Sequence, residues 1–180
     1  ELRLLRKRVT EPELQPLVDG LSARLTAALE ELRALARGIH PSILTERGLA
    51  PALSDLASRG PLDARPVVEI EARLPAAIEA AVYFLVAEGL TNVTKYAGVR
   101  EARVVVRREG DDVVVLVADD GAGGASVEGG TGLRGLQDRL AAVDGTLTID
   151  SPPGGGTLLL ARIPCPVELE RPRAPEAVGA

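Results

Sequence analysis

The sequence predicts an α+β fold of two layers. Helices cover one face of a mixed, mainly antiparallel sheet, and a long helix precedes it. Three observations carry that expectation. From Val67 onward the patterns run β-α-β-β-loop-α-β-β. Two turn signals, Glu109-Gly110-Asp111-Asp112 and Ser151-Pro152-Pro153-Gly154-Gly155-Gly156, join neighbouring strands into hairpins. Before Val67 the apolar residues instead follow a seven-residue repeat.

Composition narrows the function classes. Of the 180 residues, 46% are apolar, enough for a packed core, and nearly all of these are aliphatic. With two Tyr, one Phe and no Trp, the chain lacks the aromatic platforms of single-strand nucleic-acid binders. A net charge of −5 argues likewise against direct nucleic-acid binding. One Cys (Cys165) and one His (His40) exclude a Cys/His metal cluster and an internal disulfide. Nothing reads as a signal peptide or an 18-residue apolar span, so a soluble domain is expected. The chain starts at Glu1 and has no Met, which suggests a fragment of something longer.

Taken in order, residues 1–8 read as the end of a helix, with Arg6, Lys7 and Arg8 suited to its negative terminus. Thr10-Glu11-Pro12-Glu13 has the form of a capping box, complicated by Pro16. Leu14, Val18, Leu21, Leu25, Ala28, Leu32, Leu35 and Ile39 then alternate by four and three. Leu17, Leu29 and Ala36 widen the stripe beyond a two-stranded seam, as in a bundle built by two chains. A helix packed on its own domain would also give such a stripe, but no other segment is long enough to cover it. His40-Pro41 ends the helix. His40 has no carboxylate or Cys close in sequence and reads as structural.

Ser42–Ser58 predicts a short helix broken at Gly48 and Pro51, and residues 60–66 a linker. Val67–Ala72 alternates as a strand. A helix from Leu74 and Pro75 to about Ala97 buries Ile78, Val82, Leu85, Val86, Leu90 and Val93. Its other side carries Glu88, Asn92 and Lys95 or Tyr96 in a polar file. Gly89 inside it costs about 1 kcal/mol relative to Ala. Strands follow over 102–107 and 113–118, a helix over 133–143, and strands over 146–150 and 157–163. The expected organisation is 1–40, the end of a helical hairpin; 41–66, a connector; 67–165, the sheet domain; and 166–180, a disordered tail rich in Pro and charge.

The stretch from Val117 to Gly135 concentrates the chemistry. A strand ends in Asp119 and Asp120 and opens into two glycine clusters, the second leading into a helix. Such a loop can be a plain flexible turn, or it can cradle phosphate on backbone N–H groups at a helix start. A P-loop needs Gly-Lys, and none occurs. Gly130-Thr131-Gly132-Leu133-Arg134-Gly135 matches the dinucleotide fingerprint literally, and Asp150 lies at the right distance. That reading needs the fingerprint directly after a strand in a parallel sheet, whereas here a loop intervenes and hairpins flank it. A third reading joins three pieces: Glu88-x-x-x-Asn92-x-x-Lys95, Asp119-x-Gly121-x-Gly123, and Gly130-x-Gly132-Leu133-x-Gly135.

Those three pieces resemble the N, G1 and G2 boxes of the ATP-binding domain shared by sensor histidine kinases, Hsp90, type II topoisomerases and MutL. Glu31–Leu53, ELRALARGIHPSILTERGLAPAL, is similar to the second dimerisation helix and connector of histidine kinases that pair with LuxR-type response regulators. FLVAEGLTNVTKYA and SPPGGGT are similar to the same branch.

The resemblance implies ATP and Mg²⁺ as cofactors. It implies catalytic or phosphate-end roles for Glu88, Asn92 and Lys95, with Asn92 and Glu88 as metal ligands. It places Tyr96, Asp119, Gly121, Gly123, Gly130, Thr131, Gly132, Leu133, Gly135 and Thr157 at the nucleotide. Asn92 offers the hard oxygen that Mg²⁺ prefers, and Glu88 could orient a water or take a proton. A solvated helix face would equally explain Glu88, Asn92 and Lys95 taken alone. Asp119 and its glycines would form the adenine end, Gly130–Gly135 the phosphate end, and Ala125–Gly129 a mobile lid.

Two features depart from the branch. Tyr96 stands where a histidine is usual, and no R-x-L-H-D acceptor motif is present. His40 matches the connector and not the acceptor. The implied protein is a homodimer through the helix over 12–40, cytoplasmic or the cytoplasmic part of a membrane-anchored sensor, with a LuxR-type response regulator as partner. Rival readings are a serine kinase of the anti-sigma type on the same fold, and a non-catalytic dimerisation or nucleotide-sensing module.

Overall fold

The computed structural model describes residues 42–126 and 131–166. The expected seam helix over 12–40, His40, Gly130 and the tail beyond Pro166 lie outside the described residues.

Two short helices come first, α1 (Ser42–Arg47) and α2 (Leu49–Ser58). Gly48 separates them at φ 84°, a left-handed conformation that favours glycine. Pro51 does not break α2. It sits in the first turn, where a missing N–H is tolerated. Leu44, Leu49, Ala52, Leu53 and Ala57 are buried in the main core, so this segment packs as part of the domain.

Within the expected linker, Asp63–Ala64 forms a short strand β1, and Val67–Glu69 forms β2. Both pair parallel with β3 (Glu101–Glu109), one after the other along its length. They are one edge strand interrupted around Arg65-Pro66, since Pro has no N–H for the ladder. β3 pairs antiparallel with β4 (Asp112–Asp119), β4 with β6 (Thr157–Pro164), and β6 with β5 (Thr146–Asp150). The sheet is therefore mixed and mainly antiparallel, as expected.

Helix α3 (Ala76–Asn92) crosses one face of the sheet and continues as a wider π turn, Val93–Ala97. Helix α4 (Thr131–Ala141) lies beside α3. Ile78, Val82, Leu85, Val86 and Leu90 of α3 meet Val104, Val106, Val113, Val115, Val117, Leu159 and Ile163 of the sheet in one core. Each such side chain contributes about 1.5–3 kcal/mol when fully buried. Gly89 now has its reason: a Cβ there would come within 2.8 Å of Val117 Cγ1. Helix and strand touch at that point, and alanine would push them apart.

Ala76–Ala97 does have the length and hydropathy of a membrane span, against the expectation of no apolar run of that size. Half of that window is buried inside the fold, as befits a core helix.

One carboxylate lies deep in this packing. Glu79 is 1% exposed. Arg73 meets both its oxygens at 2.9 Å, and the same guanidinium donates to Leu44 O at 2.8 Å. A buried charge needs such a partner, and here the partner also fastens α1 to α3.

Candidate functional site

Helix α3 organises the site, because the three motif pieces meet along its C-terminal half. Glu88 and Asn92 are both half-buried on it, one turn apart. The π turn then changes the register. A π turn takes more residues than an α turn, so Lys95 rotates away from the straight file with Glu88 and Asn92 that α spacing predicts. Two hydroxyls favour this distortion: Thr91 and Thr94 donate to the carbonyls four residues back, at 2.7 and 2.9 Å. Lys95 is exposed, and Tyr96 is 71% exposed.

Beyond the π turn the first glycine cluster docks. Asp119 ends β4, and its Oδ1 accepts the Gly121 N–H at 2.9 Å, closing a local turn. Ala122 N–H donates to Ala97 O at 2.9 Å. A Cβ on Gly121 would overlap that same carbonyl. Gly123 adopts φ 62°, and a Cβ there would overlap Pro152 O. Glycine is thus required at both positions by contact with the protein itself, where the sequence suggests room for a ligand.

The turn between β5 and β6 completes this end. Gly156 N–H donates to Gly121 O at 2.9 Å, Gly154 N–H to Ala122 O at 2.7 Å, and Gly124 N–H to Ser151 O at 2.9 Å. Ser151 Oγ accepts the Ala125 N–H at 2.9 Å and lies 2.9 Å from Thr157 Oγ1. Thr157 stands directly opposite Asp119 in the β4–β6 ladder. Both share the parity of the core-facing residues, Val117 on β4 and Leu159 on β6, so both face the helix layer.

At the other end, α4 begins two residues earlier than expected, at Thr131. Gly132, Leu133 and Gly135 are therefore in its first turns and not in the loop before it. The N–H groups of a helix's first turn lack intrahelical partners and suit an anion. Leu133 is buried, so its side chain serves the core. Gly132 lies against Glu88: a Cβ would overlap Oε1. The Glu88 carboxylate thus sits at the positive end of α4, a favourable place for negative charge.

Two groups titrate away from their ordinary values, and neither belongs to this site. Burial raises the Tyr83 phenol, with Arg59 opposing and Asp55 reinforcing. Hydrogen bonds from Arg107 and Arg162 lower the Glu109 carboxyl. Among the described residues no group of three or more His, Cys, Asp or Glu could hold a metal unaided.

The structure thus brings together Glu88 and Gly132, with Asn92 one turn along the helix from Glu88, and separately Asp119, Gly121, Gly123 and Thr157. It sets Lys95 and Tyr96 on the exposed turn between the two groups. Ser151 and Ala97 are not singled out as site residues by the sequence, where Ser151 opens the turn SPPGGGT and Ala97 closes a helix. A serine at the close of a strand, six residues before Thr157, was the available signal.

No family model matches the chain. Two curated relatives are both sensor histidine kinases. The chain is 30% identical over 176 residues to the oxygen sensor histidine kinase NreB of Staphylococcus carnosus, an alignment spanning 91% of this chain and 50% of that protein. It is 31% identical over 152 residues to the sensor histidine kinase MctS of Rhizobium johnstonii, spanning 78% of this chain and 33% of that protein. The chain spans half the length, or less, of these curated relatives.

Among solved structures, the histidine kinase domain of the blue-light activated histidine kinase from Erythrobacter litoralis superposes with a TM-score of 0.52. It is 20% identical and covers 91% of this chain and 92% of that one. The ATP-binding domain of PrrB from Mycobacterium tuberculosis gives a TM-score of 0.52 at 24% identity, covering 66% of this chain and 91% of that domain. The homologues of this chain are sensor histidine kinases, and its fold is that of histidine kinase ATP-binding domains.

Proposed function

We propose that this chain is the ATP-binding catalytic region of a two-component sensor histidine kinase. In the intact protein it passes the γ-phosphoryl group of ATP to a histidine upstream of Glu1, and thence to an aspartate of a LuxR-type response regulator. One observation carries the reading: Glu88 abuts the start of α4 at Gly132, with Asn92 one turn on along the same helix, while the Asp119 loop docks on the π turn that continues α3. A nucleotide lying along that turn would meet acceptors at one end and N–H donors at the other.

The residues divide the work. Asp119 accepts from the adenine amino group, since a carboxylate keeps acceptor capacity after taking the Gly121 N–H. Gly121 and Gly123 let the loop close against Ala97 and Pro152 and shape the wall for the base. Gly130 and the N–H groups of the first turn of α4 hold phosphate oxygens. Lys95 balances phosphate charge from the exposed turn, with Tyr96 beside it. Asn92 would offer its side-chain oxygen to Mg²⁺, and Glu88 would orient a water or take the proton of the attacking group. Bound Mg²⁺ neutralises phosphate charge and takes most of its ligands from water and phosphate, which suits a site with so few protein carboxylates.

We further propose homodimerisation through residues 12–40, a location in the cytoplasm, either free or as the cytoplasmic part of a membrane-anchored sensor, and no direct contact with nucleic acid. Calorimetric titration of the chain with Mg-ATP tests the central reading. Saturable binding is expected, and no binding at millimolar concentration would sink it. Incubation with γ-labelled ATP is expected to leave His40 unlabelled. Acid-labile phosphate on His40 would instead make it the acceptor.

A further inference from the structure

Ser151 lies outside the three motif pieces, yet its hydroxyl touches three groups at once. Ala125 N–H points at it from 2.9 Å, Gly156 O lies 3.3 Å away, and Thr157 Oγ1 lies 2.9 Å away. A serine hydroxyl has one hydrogen to give and two lone pairs to offer. Ala125 N–H can only donate, and a carbonyl can only accept. One assignment satisfies all three contacts: Ser151 accepts from Ala125, donates to Gly156 O, and accepts from the Thr157 hydroxyl. The Thr157 hydrogen is then committed to Ser151, and the remaining face of Thr157 Oγ1 is acceptor only.

Thr157 stands opposite Asp119 across the β4–β6 ladder, and both face the helix layer. The two residues therefore present acceptors side by side. We propose that Ser151 is a positioning residue for base selection, holding Thr157 as a second acceptor for an exocyclic amino group beside Asp119. This rests on the nucleotide reading above. An amino-bearing purine such as adenine has two N–H donors for these two acceptors. Hypoxanthine and guanine carry a carbonyl at the same ring position, which would face two acceptors and lose both bonds. Without Ser151 the Thr157 hydroxyl is free to turn and donate to that carbonyl.

The test compares ATP with inosine triphosphate, which differ at this ring position, on the unaltered chain and on Ser151→Ala. The expected result is a fall of about 3–10-fold in the ATP-to-inosine affinity ratio, the scale of one hydrogen bond. Most of the change should be a gain for inosine triphosphate, since the freed Thr157 hydroxyl can donate to its carbonyl and can still accept from adenine. Thr157→Val should lower the ratio comparably, and adding Ser151→Ala to it should lower the ratio no further. Ser151→Thr, which keeps the hydroxyl, should hold the ratio and guards against misfolding of the alanine variant. Equal losses for both nucleotides in Ser151→Ala would overturn the proposal, leaving Ser151 as loop scaffolding. If the unaltered chain binds neither nucleotide, the nucleotide reading itself fails and takes this inference with it.

Discussion

The two ends of the site are built by different means. The end at Asp119 is backbone against backbone. Four main-chain hydrogen bonds join the segments 121–124, Ala97 and 151–156, and imagined Cβ atoms on Gly121, Gly123 and Gly156 collide with carbonyl oxygens. The end at Glu88 is side chains on a helix face meeting the first turn of α4, with Lys95 and Tyr96 standing in solvent. A base is flat and uncharged, and its recognition depends on donors and acceptors fixed to within tenths of an ångström. Phosphate is charged and is moved in catalysis, so it suits long side chains and helix-end N–H groups that tolerate displacement. The contrast predicts that damage at the first end is steric and damage at the second is electrostatic.

Three substitutions press on that contrast. Gly123→Val should have the largest effect. A β-branched residue at φ 62° is strained by about 1–3 kcal/mol, and its Cβ meets Pro152 O. ATP affinity should fall by more than about 100-fold with a lowered melting temperature. An unchanged affinity would mean that the loop is not a rigid wall.

Asn92→Ala should come next. Its loss should weaken Mg-ATP binding by about 10–100-fold, as for a hydrogen bond or ligand bond to a charged group. The melting temperature should barely move, because the residue is half-exposed. The weakening should vanish when Mg²⁺ is chelated; a defect that persists in chelator would place Asn92 on the nucleotide instead.

Glu109→Gln should have the smallest effect. Glu109 lies at the far end of the β3–β4 hairpin, where Arg107 Nε donates to it at 2.8 Å and Arg162 lies at 3.0 Å. Its carboxyl is lowered in the fold, so its stabilisation is present above the unfolded glutamate value. That stabilisation is lost as pH falls through the lower folded value. The variant should lose part of the pH dependence of melting in that acid window and should bind ATP unchanged. A shift in ATP affinity would show that the two ends of β4 are coupled.

The Glu88 end of the candidate site is easier to see in the sequence than the Asp119 end. The placing of Glu88 and Asn92 on one helix face follows from periodicity, because a helix face is a local property, although α4 starts two residues before the predicted point. The apolar run Val113–Ala118, stopped by Asp119 and Asp120, likewise predicts β4, and both hairpins follow from their turn residues. What remained hidden depends on contacts between distant segments. Nothing local says that Ser151 will reach Ala125, or that Gly121 will press on Ala97. The π turn was equally hidden, since Thr91 and Thr94 are ordinary helix residues until their hydroxyls bond backward. Glu79 gave no local signal because its partner, Arg73, precedes the helix.

That Arg73–Glu79 pair has a consequence for anyone who wishes to excise the sheet and its covering helices alone. A recombinant piece starting at Val67 would keep every motif residue. It would also strip Leu44, Ala52 and Leu53 from the hydrophobic interior and leave the guanidinium without the Leu44 carbonyl. The cut that preserves autonomous folding falls before Ser42.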